Sequence, residues 1–328
     1  MLVFIARRIL LMIPTLFVVS IISFAIIEAP PGDFMDAYVD QLIQQQEAVD
    51  PAQIASLRAR YGLDQPTYVR YFRWLGNILH GDLGRSLEWN QPVSKLIADR
   101  LPWSLSISIA SLLLAYALAI PIGLYSATRQ YSLGDYFFTL IGFIGLATPN
   151  FLLALIILWY YFVATGNVAI GLFSDKYLVA PWNFAKFVDL LKHIWLPAVV
   201  VGTAGTAGLI RVMRANLLDE LERPYVMVAR SKGLSEAKIL IKYPFRIAMN
   251  PVASTIGWTL PTLVNGELLA SLVLGLPTIA PLFVGSLLNQ DMFLAGSIVM
   301  ILSMLTLVGT LISDILLAWL DPRIRGAI

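Results

Sequence analysis

Long apolar runs, none with the alternation of a half-buried strand, dominate the chain. Six of them, at about 9–27, 103–127, 136–163, 194–210, 252–276 and 294–320, carry at most one strong charge each. A bilayer core about 30 Å thick takes roughly 20 mainly apolar residues per crossing helix. Lipid offers no partner to backbone N–H and C=O groups, so each run is predicted as a helix that closes its own hydrogen bonds. The prediction is an all-α integral membrane protein with six transmembrane helices. The first run follows Arg7 and Arg8 and is read as a retained helix. It is longer than a leader core, and Ile27-Glu28-Ala29-Pro30 is a poor cleavage site.

The polar intervals add two features. Residues 29–101 lie between the first helix, 1–28, and a five-helix core, 102–328, and encode a helical segment outside the membrane. Asp50-Pro51 starts one helix that Gly62 stops. Pro66 starts a second, carrying Tyr68, Tyr71, Phe72, Trp74 and Leu75 to Gly81. Asn90-Gln91-Pro92 opens a third that runs to Arg100 before Pro102. Aromatic residues at helical spacing predict a small core or an interfacial face.

The second feature is the loop at 211–250. Arg211, Arg214, Arg223, Arg230, Lys232, Lys238, Lys242 and Arg246 stand there against Asp219, Glu220, Glu222 and Glu236. Basic residues in short loops mark the cytoplasmic side. Together with Arg7, Arg8, Arg129, Arg323 and Arg325 this loop predicts both termini inside, although Lys176, Lys186 and Lys192 pull mildly the other way. Within it, Pro224 starts a short helix, Gly233 ends it, Ser235 caps a second with Glu236 in the first turn, and Pro244 follows. A connection between two spans needs only a few residues. Two ordered helices on a tight glycine turn read as a rigid lever for a soluble partner, in preference to a basic pair lying on lipid.

Composition agrees with the pattern and excludes several chemistries. Apolar residues make up 58% and charged residues 13% of 328, against about 45–50% and 25% in soluble domains. With no cysteine, disulfides and iron–sulfur sites are excluded, and His80 and His193 lie too far apart in sequence to suggest a metal site. A net charge of +2 gives no basis for nucleic-acid binding. No G-x-x-x-x-G-K-[ST] phosphate loop, G-x-S-x-G or H-E-x-x-H occurs, so neither a nucleotide site nor a hydrolytic centre is encoded. Charges inside spans are functional candidates. Glu267 falls about 24 Å along the fifth helix from Pro251, toward the outer end, and Asp314 about 9 Å from the inner end of the sixth, as an anchor. Asn150, Thr203, Thr206, Asn265 and Glu267 form the candidate pathway set. Gly202, Gly205 and Gly208, with the intramembrane prolines, read as close packing and kinks.

Several strings carry a family likeness: Ala-Arg-Ser-Lys-Gly-Leu-Ser-Glu (229–236) with Pro251 downstream, Tyr-Gly-Leu-Asp-Gln-Pro (61–66), and His-Gly-Asp-Leu-Gly-Arg-Ser-Leu (80–87). Pro-Gly-Asp (31–33) and Asp-Pro-Arg-Ile-Arg (321–325) complete them. The chain resembles the bacterial inner-membrane permease subunits of binding-protein-dependent ABC importers, in the dipeptide/oligopeptide branch. The resemblance implies a cytoplasmic coupling helix seated in an ATPase groove, with Ala229, Gly233, Leu234, Ser235 and Glu236 at the contact. It implies one half of a solute pathway, no catalysis or cofactor in this chain, and ATP and Mg held by two partner ATPase subunits. A second, related permease chain, an extracytoplasmic solute-binding protein and membrane lipid complete the expected partners. Met227-Val228-Ala229 and Ser271 depart from the family pattern, as do Pro277-Thr278-Ile279-Ala280. The solute therefore stays open between peptides and another class such as oligosaccharides or nickel. A secondary transporter is the competing reading, but its paired repeats have no counterpart here.

Overall fold

The computed structural model describes residues 2–28, 65–86, 88–256 and 268–320, with 39, 55 and 259 as isolated positions. Among the described residues there is no strand, only an isolated bridge between Arg85 and Pro92. The helices are α1 (Leu2–Glu28), α2 (Thr67–Leu79), α3 (Val93–Thr128), α4 (Leu133–Ala147), α5 (Asn150–Thr165), α6 (Asp175–Leu178) and α7 (Phe184–Leu221). They continue as α8 (Pro224–Ser231), α9 (Glu236–Lys242), α10 (Pro244–Ser254), α11 (Leu268–Val273), α12 (Ile279–Leu288) and α13 (Met292–Leu320).

Three helices, α1, α3 and α13, are long and apolar enough to cross a membrane, and the number reaches five if each of two bent pairs is one span. The run at 136–163 is one of those pairs: α4 and α5 meet at 108°. Pro149 causes the break. It has no N–H to continue the ladder, and it pushes the preceding residue out of the α region. Thr148 accordingly sits at φ −88°, ψ 120°, and α5 restarts at Asn150. The second pair is the two halves of α7, which bend by 56° between Thr203 and Gly205. The central part of the run at 252–276, including Asn265 and Glu267, lies outside the described residues. So do the helix expected from Asp50-Pro51 and the Pro-Gly-Asp and Asp-Pro-Arg-Ile-Arg strings.

The chain divides into two compact units. In the unit of residues 9–102 and 278–305, α2 does what its aromatic spacing predicts. Tyr71 and Trp74 are buried against Phe24 of α1, while Tyr68 and Phe72 are exposed. The Tyr71 hydroxyl meets the Ser20 hydroxyl at 2.8 Å, and Arg70 pairs with Glu28. The helix opened by Asn90-Gln91-Pro92 does not stop at Arg100; α3 continues for 36 residues. Its first turns bury Val93, Leu96 and Ile97 against Ile279 and Leu282 of α12 and Leu294 and Ile298 of α13. That continuous apolar face outweighs the stop signal of Pro102.

Asp291, fully buried, organises the start of α13. One carboxylate oxygen accepts from the Leu294 amide at 3.3 Å, an N-cap geometry, and the other accepts from the Ser86 hydroxyl. Replacing it with alanine removes a cap, at a cost of about 1 kcal/mol, and strands a buried hydroxyl, at about 1–3 kcal/mol. Asp291→Ala is therefore expected to lower the unfolding temperature of the purified protein clearly, and Asp291→Asn much less.

The other unit holds the described parts of 1–8, 103–277 and 306–328. One core joins Ile107 of α3 with Leu196, Val200 and Val201 of α7 and with Leu274. A second joins Ala127, Met213, Leu217, Ala248 and Val252. Helices α3 and α7 approach so closely that a Cβ on Gly202 would lie 3.1 Å from the Ser111 carbonyl oxygen. Packing thus explains Gly202. Gly205 and Gly208 face open space and belong instead to the bent region of α7. Asp314, in the last two turns of α13, forms an ion pair with Arg8 at 3.3 Å.

Candidate coupling site

The loop between α7 and α10 folds as its punctuation requires. Pro224 occupies the first turn of α8, where a missing N–H costs nothing. The helix ends in a Schellman turn. The Gly233 amide donates to the Arg230 carbonyl at 2.9 Å and the Leu234 amide to the Ala229 carbonyl at 3.4 Å. Gly233 takes φ +75°, the left-handed conformation that side chains disfavour. The helix pair then closes on itself: Val226, Ala229 and Ile239 form a small buried cluster flanked by Tyr225, Leu234 and Tyr243.

Charged contacts fix the tip and its base. Arg230 reaches across the turn to Glu236 with two parallel bonds, Nε to Oε1 at 2.7 Å and Nη2 to Oε2 at 3.0 Å. The Arg230 guanidinium holds the Glu236 carboxyl below its ordinary value. The link therefore holds wherever Glu236 is ionised and is lost as pH falls through that lowered value. At the base, the Tyr225 hydroxyl donates to Glu220 at the end of α7. Burial, followed by that carboxylate, pushes the Tyr225 phenol upward, so it stays a donor at physiological pH.

The pair stands on an anchored platform. Helix α10 follows directly and packs on α7 through Ala248 and Val252. The Tyr116 hydroxyl of α3 donates to the Val252 carbonyl at 3.1 Å and meets the Thr255 hydroxyl at 2.5 Å. The Ser313 hydroxyl of α13 reaches the Ala253 and Ser254 carbonyls at 3.3 and 3.1 Å. The helix pair is thus tied to α7, α3 and α13 through packed side chains and hydrogen bonds.

The five residues expected at the contact occupy different environments. Gly233 shapes the turn, Leu234 packs inward, and Ala229 is 5% exposed inside the cluster. Ser235 holds the N-cap position of α9 by backbone conformation, but its side chain makes no capping bond. Glu236 is engaged by Arg230. The outward apolar residues are instead Met227 and Val228, at 59% and 54% exposure, with Ile241 on α9. Helical spacing could have found them: Val226 and Ala229 share the inward face, which leaves Met227 and Val228 facing out.

Three of the candidate pathway residues, Asn150, Thr203 and Thr206, are among the described residues. Thr203 and Thr206 turn their hydroxyls onto the carbonyls of Val199 and Gly202 one turn back, and the Thr203 methyl lies against Gly145. Asn150 begins α5, and Asn265 and Glu267 are outside the described residues. No group of acidic or histidine side chains among the described residues could hold a metal ion.

The described residues are all-helical, with three to five candidate membrane spans and an ordered helix pair packed on α10. The chain belongs to the family of binding-protein-dependent transport system inner membrane components, whose model matches residues 119–326. The companion N-terminal model for the membrane component of such systems matches residues 1–108. It is thus a membrane permease subunit and not itself an enzyme. It is similar to the oligopeptide transport system permease protein AppB of Bacillus subtilis, 39% identical over 98% of this chain and 99% of that one. The oligopeptide transport system permease protein OppB of Haemophilus influenzae is 30% identical over 99% of this chain and all of its own length. The dipeptide transport system permease protein DppB of Escherichia coli K12 is 29% identical over 99% of both. Among solved structures, the inward facing MetNI methionine ABC transporter includes a chain of the same fold. Its TM-score is 0.53 at 16% identity, and the match covers 69% of this chain and 96% of that one.

Proposed function

We propose that the chain is one of two permease subunits of an ATP-driven importer that carries oligopeptides or dipeptides delivered by a solute-binding protein. The observation that carries this is the match, over nearly its whole length, to permeases named for oligopeptide and dipeptide transport. The lever of α8 and α9, with exposed Met227 and Val228, supports a docking role toward an ATPase subunit. The fuel, ATP with Mg, belongs to two such subunits, since this chain encodes no phosphate loop.

In this reading six helices cross the membrane with both termini inside, residues 29–101 stand outside as a helical segment, and 102–328 form the core. The basic loop and the ion pair of Arg8 with Asp314 support that orientation. ATP binding draws the two ATPase subunits together, and each lever follows its subunit. The platform of α10 passes the motion to the membrane helices, which open the cavity between the two permeases outward to receive solute. Hydrolysis returns them inward. Asn150, Thr203, Thr206, Asn265 and Glu267 are proposed as positions on that route.

Reconstitution into liposomes with the second permease, both ATPase subunits and the binding protein tests the reading. ATP-dependent accumulation of a labelled peptide, competed by unlabelled peptides and not by oligosaccharides, is the expected result. Competition by sugars alone would reassign the solute, and no nucleotide-dependent uptake of any solute would overturn the function.

A further inference from the structure

We infer that the groove between α4 and α7 is a binding site for an anionic phospholipid of the cytoplasmic leaflet. The leaflet assignment rests on the orientation proposed above; the lipid chemistry rests on the groove itself. The groove is open to the surface and is lined by Phe138, Gly142 and Phe143 on α4 and by Ala207, Arg211 and Arg214 on α7, with Leu146 and Ile210 adding apolar wall. The two helices run antiparallel. Asp135 pairs with Arg214 at 3.1 Å, Gly142 lies against Ala207, and Gly145 lies against Thr203.

Charge and grease are therefore separated along the groove. The arginines gather at the end of α4 that holds Asp135, and Leu146 lies 11 residues further on, about 16 Å deeper at 1.5 Å per residue. That depth is about half of a 30 Å hydrocarbon core, the reach of one leaflet. The small residues Gly142 and Ala207 make the floor shallow enough for a chain to lie between Phe143 and Ile210.

At the charged end two arginines, Arg211 and Arg214, stand beside a single carboxylate, Asp135. Arg211 stands over the Phe143 ring at 6.0 Å and, among the described residues, has no ion-pair partner. Arg214 gives one nitrogen to Asp135, while its Nε is buried without a hydrogen-bond acceptor. No acidic side chain lines the groove. Arg129 flanks it, over the Tyr125 ring, which in turn meets Phe138 edge-on at 6.0 Å. A phosphodiester supplies the missing negative charge and the oxygen acceptors that guanidinium groups take. The attached acyl chain covers the apolar walls, which a free phosphate would leave wet.

The test is native mass spectrometry of the assembled permease, purified in detergent with either phosphatidylglycerol or phosphatidylcholine. Wild-type protein is expected to retain phosphatidylglycerol roughly tenfold better. Arg211→Gln, which removes the charge, and Gly142→Leu, which fills the floor, should each lower that retention by a similar factor. Soluble glycerophosphate should not compete. Equal retention of both lipids by wild type and Arg211→Gln would overturn the proposal, as would displacement by glycerophosphate, which would mark an anion site without a lipid. The chain has no cysteine, so Leu146→Cys reports the other occupant. A crosslink from it to the second permease would make the groove a protein interface and overturn the lipid site. Retention is scored without nucleotide or solute, so failed uptake leaves it standing. Labelling of Ser231→Cys from the outer side would overturn the orientation and the leaflet alone.

Discussion

Gly233→Pro is expected to abolish coupling while leaving the chain inserted in the membrane. Proline fixes φ near −65° and carries no N–H, whereas Gly233 takes φ +75° and its amide bonds to Arg230. The Schellman turn cannot form, so Leu234 leaves the cluster of Val226, Ala229 and Ile239, and Arg230 loses its register with Glu236. In the reconstituted importer, solute-stimulated ATP hydrolysis should fall at least about tenfold, equivalent to about 1.4 kcal/mol on the coupled step. Gly233→Ala keeps the donor and pays only the left-handed penalty of about 1–2 kcal/mol, so it should retain most activity. No clash would add to that penalty, because nothing lies within 4 Å of the Cβ it would gain. Normal coupling in Gly233→Pro would remove the lever from the mechanism.

Asp135→Ala should cause a large loss of stability. The carboxylate is buried in the first turn of α4, where one oxygen accepts from the Tyr131 amide at 3.0 Å and from Arg214 at 3.1 Å. Tyr131 holds φ +58°, so the chain enters α4 through a turn that this acceptor helps to hold. Removing one member of a buried pair costs about 3–5 kcal/mol; the part-exposed Arg214 places the expected loss near the lower end, about 3 kcal/mol. Thermal unfolding of the purified protein measures it. Because the two side chains act together, Asp135→Ala with Arg214→Ala should cost less than the sum of the single changes. Strict additivity would show that the contact contributes nothing.

Much of this architecture is legible residue by residue where the determinant is local. Pro224, Gly233, Ser235 and Pro244 mark the boundaries of α8, α9 and α10 because caps and breakers act within one turn. The aromatic stripe of α2 announces its buried face for the same reason. The break at Thr148–Pro149 is hidden by composition, since the residues on either side are equally apolar and a proline inside a membrane run usually reads as a kink. The extension of α3 past Pro102 depends on α12 and α13, whose contacts no local pattern reveals. The residues expected at the coupling contact follow the same division. Gly233 is readable from its turn, whereas the inward placement of Ala229 depends on Ile239 in the next helix. Ion pairs joining Arg8 to Asp314 and Asp135 to Arg214 have no signature short of the folded chain.

The bonds from Tyr116 and Ser313 to α10 bear on what the machine can waste. A loosely hung handle could swing through part of each cycle before the pathway felt it, and nucleotide would then turn over without moving cargo. In the mechanism proposed above, a pivot clamped to two other spans at the level of backbone carbonyls leaves little backlash. The stroke length at the motor should translate into helix tilt in nearly fixed ratio, and fuel use should stay matched to solute moved.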